Sequence, residues 1–359
     1  MKTDLEIEKC SLLTGDPLLI AGPCSAESET QLLATAKAIA EIKQNTLFRA
    51  GIWKPRTRPG AFEGMGEIAL EWMRTVKQET GMKTATEVAN ARHVELCLGS
   101  GIDVLWIGAR TTVNPFSVQE IADALSGVDV PVLVKNPVSP DLQLWLGAFE
   151  RLNKRGINKI AAIHRGFHSY DTTPFRNDPK WEMVIQLKTL CPQIPVICDP
   201  SHICGSTELI PYIAQKALDM DMNGLMIETH CLPEVALSDA KQQLNPAQLK
   251  KLLGKLVIRT PRSADTAYNN KLEELREDIN HADEGLLRLL MSRMKIAEEI
   301  GLYKHRNNVT ILQADRWEGL LKDRIDTAEM MGLTEEFVRA LYQLIHEESI
   351  RKQESVMNK

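Results

Sequence analysis

Eight short apolar runs, with stretches of helical spacing between them, fill the first 230 residues of the chain. Runs that are apolar throughout are typical of parallel strands whose two faces are both buried. Eight such alternations of strand and helix favour a closed α/β (β/α)8 TIM barrel over an open doubly wound sheet. A nucleotide-binding sheet is disfavoured because no GxGxxG or GxxxxGK(S/T) loop follows the first run. The runs cover residues 18–24, 46–51, 83–88, 103–109, 131–136, 159–166, 195–202 and 224–230.

The chain changes character after the barrel segment. Residues 259–271 are polar, carry a proline and lack apolar periodicity, as is typical of a linker. Beyond them no strand pattern remains, and apolar residues recur at helical spacing. Three helices are predicted, one from 272 to about 300, a second over 314–330 and a third from 334 to about 356.

Two domains follow from this division, because a single core rarely grows beyond ~250 to 300 residues and the chain has 359. We predict a TIM barrel over residues 1–260, a linker over 261–268 and a small all-α three-helix domain over 269–359. Three helices make a thin core for a lone bundle, so the second domain is expected to dimerise or to dock on the barrel.

The charge balance limits the partners. The formal net charge of −5 gives no electrostatic footprint for nucleic acid. No run approaches the ~18 apolar residues of a membrane span, and the charged N-terminus lacks the apolar core of a signal peptide. Seven cysteines without CxxC spacing indicate reduced thiols. We therefore expect a cytoplasmic protein with neither nucleic acid nor membrane as a partner.

Polar residues stand where the apolar runs end, at the rim that carries the active site in TIM barrels. Thiol, imidazole and carboxylate groups there suit Mn, Fe, Co or Zn, and cations suit a phosphorylated, carboxylated substrate. Taken singly, Cys24 is equally a small core residue, His202 a structural histidine and Glu228 the partner of an arginine. His230 also competes for the ligand role. The candidate metal ligands are Cys24, His202, Glu228 and Asp239, and the candidate cations are Arg110, Lys135 and Arg165.

Eight short motifs lie in order along the barrel segment: AGPCS at 21–25, KPRT at 54–57, GAR at 108–110, VK at 134–135, HRG at 164–166, DPSH at 199–202, MIETH at 226–230 and ALSD at 236–239. Together they resemble type I beta 3-deoxy-D-arabino-heptulosonate 7-phosphate (DAHP) synthase. That family joins phosphoenolpyruvate to erythrose 4-phosphate, the first step toward aromatic amino acids. A sibling family, 3-deoxy-D-manno-octulosonate 8-phosphate synthase, carries a pattern similar to KANRS at the place where this chain has KPRT. This difference favours the shorter aldose as the substrate.

The resemblance implies a role for each matching residue. The four candidate ligands would bind one divalent metal ion, and Lys54, Lys135 and His202 would be catalytic. The metal would polarise the aldehyde oxygen while the methylene carbon of phosphoenolpyruvate attacks. Arg110 and Arg165 would bind the phosphate of phosphoenolpyruvate, and Lys135 would bind its carboxylate. The phosphate of the aldose would be bound by Lys54, Arg56 and Thr57.

Cations on the predicted long helix divide into two groups. Arg276, Arg293 and Lys304 are spaced by 17 and 11 residues. At ~100° per residue, Lys304 lies within ~20° of Arg293, whereas Arg276 is ~100° away and about 25 Å along the axis. A site shared by all three therefore needs Arg276 from a second copy. Ser349 and Gln353 share a face of the third helix at i, i+4. The alternative interpretation is that these are solvated charges on an amphipathic dimer helix.

Three stretches within about 270–356, LREDINHADEGLLRLLMSRM, ADRW and LIHEESIRKQ, resemble the all-helical chorismate mutase, in which three helices per chain interlock into a dimer. Gln313 and Trp317 stand where relatives often carry an aspartate and a glutamate. The resemblance implies that the two carboxylates of chorismate are bound by Arg276 of a second copy, Arg293 and Ser349, that Lys304 and Gln353 are catalytic and hydrogen-bond the ether oxygen, and that Arg316 supports the site.

The sequence thus predicts a bifunctional shikimate-pathway enzyme that makes DAHP and rearranges chorismate to prephenate. Feedback by prephenate or chorismate through the helical domain is also predicted, as is a homodimer formed through that domain, or a tetramer. Two alternatives remain open. In the first alternative, the helical domain is a non-catalytic dimerising and sensing module. In the second, the barrel is a 3-deoxy-D-manno-octulosonate 8-phosphate synthase.

Overall fold

A computed structural model describes residues 5–8, 10, 17–43, 46–54, 60, 62–170, 173–260 and 263–357. Eight parallel strands close into a barrel in which each strand pairs with the next and the last pairs with the first. This confirms the predicted (β/α)8 architecture. The strands are β1 Leu18–Gly22, β2 Leu47–Arg49, β3 Thr84–Val88, β4 Val104–Ile107, β5 Val132–Lys135, β6 Ile160–His164, β7 Val196–Cys198 and β8 Gly224–Glu228.

Ten helices of the described chain belong to the barrel segment, and several begin at a residue whose side chain caps the helix. Ser28, Asn90 and Asp141 each accept a hydrogen bond from a backbone N–H of the first turn. The helix over Ala91–Gly99 was missed in the sequence. The helices are α1 Glu29–Ala40, α2 Ile68–Thr80, α3 Ala91–Gly99, α4 Ala109–Thr112, α5 Pro115–Ala124, α6 Leu142–Lys154, α7 Trp181–Leu190, α8 Pro200–Cys204, α9 Ile210–Asp219 and α10 Pro246–Leu253.

Strand residues alternate between two cores. Leu19 and Ala21 of β1 pack in a large cluster with apolar residues of the surrounding helices. Ile20, between them, belongs to a second cluster that contains strand residues from around the barrel, including Trp106 and Met226. The period of two therefore sends one set of side chains outward to the helices and the other into a packed barrel interior.

A close approach of backbones fixes the rim where β1 ends. Gly22 has φ +147°, and a Cβ atom at this position would lie 2.0 Å from the carbonyl oxygen of Arg49. Only glycine fits there, and the next strand can then run close enough for Arg49 to reach Cys24. Gly22 is therefore a steric requirement of the rim.

The chain divides into two compact units, Met1–Pro261 and Arg262–Lys359. The second is formed by three helices, α11 Thr266–Arg306, α12 Ala314–Met330 and α13 Glu335–Met357. The second helix has the bounds predicted from the sequence. The linker prediction was too long, because Asp265 accepts hydrogen bonds from Ala267 and Tyr268 and starts α11 inside the segment 261–268.

The first helix of this unit is largely exposed in the single chain. Its buried residues are Ala297 and Gly301, while large apolar side chains on it are open to solvent, among them Leu275, Ile279, Leu286, Leu289 and Ile296. The unit's own small core is formed by Ile325, Ala328 and Val338. Across the described residues, every helix is too short or too polar to cross a lipid bilayer.

Candidate active sites

Three candidate metal ligands meet at the carboxyl rim of the barrel. Cys24 follows β1, and Glu228 ends β8, where it pairs in register with Gly22. One ligand atom each from Cys24, Glu228 and Asp239 lies within 4.8 Å of the other two. We call these three residues the rim cluster. The backbone of Asp239 has φ +47°. Its Oδ2 accepts a hydrogen bond from the Cys24 thiol at 3.3 Å.

His202 adjoins the rim cluster without joining the mutual 4.8 Å group. It lies in the short helix α8, beyond the end of β7, and not on the strand that the sequence pattern suggested. Its Nδ1 is 2.8 Å from Asp199 Oδ2, and its Nε2 is 3.7 Å from Glu228 Oε1. Burial lowers the pKa of His202 below 6.5 despite the opposing effect of Asp199. The ring is therefore neutral at pH 7, with Nδ1–H donated to Asp199 and the Nε2 lone pair free on the Glu228 side.

Cations surround the rim cluster. Lys54 Nζ donates to both the thiol sulfur and the carbonyl oxygen of Cys24 at 3.0 Å. Arg49, fully buried, has Nη1 3.3 Å from Glu228 Oε1 and donates from Nη2 to the Cys24 carbonyl. Burial alone would raise the pKa of Glu228, but the charges of Arg49 and Lys54 contribute to a pKa below its usual value. The Glu228 carboxylate is thus ionised although it is inaccessible to solvent.

Burial, and next the Glu228 carboxylate, raise the pKa of the Cys24 thiol to about 12. The thiol is therefore protonated at neutral pH in this arrangement. Because a thiol binds a metal as thiolate, a metal ion at the rim cluster would displace this proton.

A cavity of about 320 Å³ opens beside the rim cluster. We call it the rim cavity. Lys135 Nζ is 2.9 Å from Asp199 Oδ2, and Arg165 Nη1 donates to Asn177 Oδ1 at 2.7 Å. Burial lowers the pKa of Arg165 to about 10, so its guanidinium stays charged at pH 7. The cavity is thus a positive site suited to anionic substrates, lined by Lys54, Glu87, Arg110, Lys135, Arg165, Arg176, His202 and Asp239, among others.

Several residues of this site were missed in the sequence. Asp199 lies within ion-pair distance of both Lys135 and His202. In the sequence it is marked only by its place in the DPSH motif, and in the structure it is the N-cap of α8. Arg176 Nη1 is 3.0 Å from Asp239 Oδ1 and lies in a loop without any strand pattern. Two predicted ligands of the aldose phosphate, Arg56 and Thr57, lie outside the described residues.

A second cavity, of about 210 Å³, lies within the helical unit, and we call it the helical pocket. Arg293 donates to the Ser349 hydroxyl and, at 3.5 Å, to the Ile345 carbonyl. Gln353 donates from Nε2 to the Ser349 carbonyl at 3.3 Å. The structure therefore brings together five residues that the sequence selected on three separate helices, namely Arg293, Lys304, Arg316, Ser349 and Gln353.

Arg276 is not among the residues that line the helical pocket. Its side chain is 60% exposed and pairs with Glu273 at 3.2 Å, one turn away on the same helix. Within one chain it is therefore apart from Arg293 and Lys304, as the helical spacing predicted.

One wall of the helical pocket is aromatic. Trp317 of α12 and His346 of α13 stack with ring centroids 4.0 Å apart and an interplanar angle of 15°. Both line the pocket, together with Gln313. His346 was not selected from the sequence, although it lies three residues before Ser349 on the same helix face.

Comparisons with known proteins give one family for each unit. The family model "DAHP synthetase I family" matches residues 6–260, and "Chorismate mutase type II" matches 275–354. A phospho-2-dehydro-3-deoxyheptonate aldolase of Thermotoga maritima is 31% identical over 237 residues, 66% of this chain and 67% of the relative. A 2-dehydro-3-deoxyphosphooctonate aldolase of a Cyanothece species is 28% identical over 273 residues, 70% of this chain and 95% of the relative.

Solved structures agree with the first family. The crystal structure of a DAHP synthase from Thermotoga maritima superposes with a TM-score of 0.61 at 29% identity, covering 67% of this chain and 68% of that one. A truncated form of 3-deoxy-D-arabino-heptulosonate 7-phosphate synthase from the same organism gives a TM-score of 0.58 at 27% identity, covering 67% of this chain and 86% of that one.

Proposed function

Because the chain belongs to the DAHP synthetase I family over residues 6–260, we propose that its rim cavity binds phosphoenolpyruvate and erythrose 4-phosphate and joins them to DAHP. The chain also carries a chorismate mutase type II domain, so it is a bifunctional shikimate-pathway enzyme with synthase and mutase activities. Both resemblances seen in the sequence are confirmed. The observation that carries the substrate assignment is that several cations line one cavity together with His202 and with Asp239 of the rim cluster.

A divalent metal ion fits the rim cluster. The sulfur and two carboxylates lie within 4.8 Å of one another, and the neutral Nε2 of His202 adjoins them. Glu228 Oε1 is buried and faces the Arg49 guanidinium at 3.3 Å, but it accepts no hydrogen bond among the described residues, which leaves a lone pair for a metal ion. Cys24, His202, Glu228 and Asp239 would hold an ion of the Mn, Fe, Co or Zn class. Such an ion supplies Lewis-acid polarisation of the aldehyde oxygen.

The cations of the rim cavity would hold the reactants. Guanidinium groups bind phosphate through two parallel hydrogen bonds, which suits Arg110 and Arg165 to the phosphate of phosphoenolpyruvate. Lys135, fixed by Asp199, would take the carboxylate, and Lys54 would reach the aldose from beside the rim cluster. Holding the methylene carbon against the aldehyde then removes much of the entropic barrier to carbon–carbon bond formation. Water would add at the carbon that bears the phosphate, and inorganic phosphate would leave by C–O cleavage. Arg56 and Thr57 are proposed for the aldose phosphate.

Assays on the full-length chain test this proposal. Phosphoenolpyruvate should be consumed with erythrose 4-phosphate, and a chelator should abolish that consumption without affecting mutase turnover. Faster consumption with arabinose 5-phosphate would favour the octulosonate synthase activity named for the Cyanothece relative. Full activity in a chelator, after extensive dialysis, would contradict the metal assignment.

We propose that the helical pocket binds chorismate and rearranges it to prephenate. The rearrangement needs no covalent catalyst, only a cationic pocket that holds the reactive conformer and stabilises charge on the breaking ether bond. Arg293 and Ser349 would bind carboxylate, Lys304 and Gln353 would act at the ether oxygen, and Arg316 would support them. These residues share one cavity. Chorismate binding without turnover would favour the alternative of a sensing module.

A second copy of the chain is proposed to complete this site with its Arg276. Two features support a dimer through the helical unit: the exposed apolar side chains along α11 and the separation of Arg276 from the pocket of its own chain. An Arg276→Ala chain mixed with an Arg293→Ala chain should regain part of the mutase activity, because half of the pockets in a mixed dimer would be intact. Failure of the mixture to exceed the two parents would count against a shared site.

We further propose feedback from the helical pocket to the barrel, with prephenate or chorismate as the ligand. Prephenate should inhibit the synthase activity of the full chain, and Arg293→Ala should remove the inhibition while leaving basal synthase activity unchanged. Inhibition that persists in this variant would mean that prephenate acts elsewhere, for example in the rim cavity.

A further inference from the structure

The helical pocket contains a pair of rings that the proposed mutase chemistry does not use. Trp317 and His346 stack at 4.0 Å and line the cavity from two different helices. His346 precedes Ser349 by three residues and Gln353 by seven, so all three lie on one face of α13. The imidazole therefore belongs to the same pocket wall as the residues proposed to touch the ligand.

The helical pocket combines cations with uncharged polar side chains, which suit different groups of a ligand. Its lining carries three cations, Arg293, Lys304 and Arg316, and the described lining residues include no carboxylate. These cations suit carboxylates, and of the uncharged polar side chains in the lining Ser349 and Gln353 are already proposed for a carboxylate and the ether oxygen, which leaves Gln313 and His346 for a hydroxyl group. Burial, and next the charge of Arg293, lower the pKa of His346 below 6.5. The uncharged ring has one nitrogen that donates and one that accepts, so it can pair with a hydroxyl in either sense.

We infer that His346 is a ligand-contacting residue of the helical pocket that hydrogen-bonds an uncharged polar group, a ring hydroxyl, of a cyclic dicarboxylate, and that Trp317 is the positioning residue that fixes the imidazole plane. The inference rests on the proposed mutase function, because that function supplies the class of ligand. It adds a determinant of specificity that separates hydroxylated from unhydroxylated dicarboxylates.

The competing explanation is purely structural, in that the stack only packs α12 against α13. The two explanations differ in what a flat ring without nitrogen would do. His346→Phe keeps a ring against Trp317 but removes both nitrogens, whereas His346→Gln keeps hydrogen-bonding capacity and removes the ring. A packing role therefore tolerates the phenylalanine, and a ligand contact tolerates the glutamine.

The test uses the full-length chain with chorismate and with the chorismate analogue that lacks the ring hydroxyl. Loss of one hydrogen bond costs about tenfold in affinity, so His346→Phe should raise the KM for chorismate about tenfold with little change in kcat. The dissociation constant of the analogue, followed by competition against chorismate, should not change. His346→Gln should restore most of the affinity for chorismate. His305→Phe, at an exposed position in the last turn of α11, is the matched control and should behave as the unmodified chain.

Each other outcome decides against the inference in a distinct way. Equal KM values for the unmodified chain and His346→Phe would overturn the ligand contact, as would a tenfold loss that is the same for the analogue. If His346→Phe fails to fold, an unchanged discrimination between chorismate and the analogue in His346→Ala, which has no side-chain nitrogen, would overturn it equally. If the unmodified chain neither converts chorismate nor binds it, the proposed mutase function fails first. Trp317→Phe should retain the discrimination between the two ligands at reduced strength.

Discussion

Replacing Gly301 by alanine should show how much tight packing between helices affects the stability of the helical unit, apart from the effect of helix propensity. Gly301 lies in α11 where α13 crosses it, and a Cβ atom there would be 2.9 Å from Gln353 Cα and 2.8 Å from Val356 Cγ2. The valine methyl can rotate away, but the Cα atom belongs to the backbone of α13. Gly301→Ala must therefore move α13, and with it the Gln353 side of the helical pocket.

The magnitude follows from a comparison with Gly319 in α12, where a Cβ atom would meet nothing within 4 Å. Replacing a helical glycine by alanine gains about 1 kcal/mol of helix propensity at either position. Overpacking costs about 1 to 3 kcal/mol and applies only at Gly301. Gly319→Ala should therefore stabilise the unit by about 1 kcal/mol, while Gly301→Ala should be about 1 to 3 kcal/mol less stable than Gly319→Ala.

Activity should follow the displacement. Restoring an ordinary contact of 3.4 Å requires a shift of about 0.5 Å at Gln353, and misplacement by 1 Å costs on the order of 100-fold in rate. We expect Gly301→Ala to lose about tenfold in mutase kcat/KM, with synthase activity unchanged in the same preparation. Thermal unfolding followed by circular dichroism, and the decay of chorismate absorbance, measure the two effects. Equal stability and equal mutase activity in the two variants would refute the packing argument.

Three further outcomes are expected. Cys24→Ala in the full chain should abolish metal binding and synthase activity but leave mutase turnover intact, and a parallel loss of both activities would contradict separate sites. Asp199→Asn should weaken metal binding by about 10- to 100-fold, measured by competition with a metal indicator, because it releases the Nδ1 side of His202; unchanged affinity would show that His202 is not oriented by Asp199. Burial, and next Arg165, lower the pKa of His164 from 6.5 to about 3. The unfolded state therefore binds a proton at this histidine that the folded state does not bind. The free energy of unfolding should fall by ~1.4 kcal/mol for each unit by which the pH is lowered between about pH 6 and 4. Urea unfolding of His164→Gln should lack this part of the slope, and identical slopes would contradict it.

The architecture could be predicted from the sequence because each barrel strand is buried on both faces. Such strands form continuous apolar runs in the sequence. Glycine, proline and asparagine residues separate these runs, so the runs are easy to count. Helix α3 was missed because His93 and Glu95 interrupt its short apolar pattern. The start of α11 was misplaced because residues 266–271 are polar and exposed, so that only the capping aspartate at 265 marks where the helix begins.

Strand ends alone indicated only part of the site, because many of its contacts join segments that are distant in sequence. Cys24 and Glu228 follow directly from strand ends. Arg176 does not, because the ion pair it makes with Asp239 joins segments 63 residues apart in sequence. Asp199 does follow directly after β7, but its partner Lys135 is 64 residues away, so its role was not visible from the sequence. Likewise, the helical spacing of α13 placed Ser349 and Gln353 on one face, but the stacking of His346 on Trp317 is a contact between two helices. Periodicity within one element carries no information about such contacts.

The buried charges at the rim decide which ligand substitution can test the metal site. Glu228 and Arg49 face each other at 3.3 Å with side-chain exposures of 0% and 1%. Glu228→Ala would leave the guanidinium buried and unpaired, which costs about 3 to 5 kcal/mol, so its loss of activity would mix metal binding with unfolding. The Cys24 thiol is uncharged at neutral pH, and its removal leaves Lys54 next to Asp239 and Glu228. We therefore expect Glu228→Ala to lower the urea midpoint of the barrel far more than Cys24→Ala, while both abolish synthase activity. Equal midpoints would show that Arg49 finds another partner when Glu228 is removed.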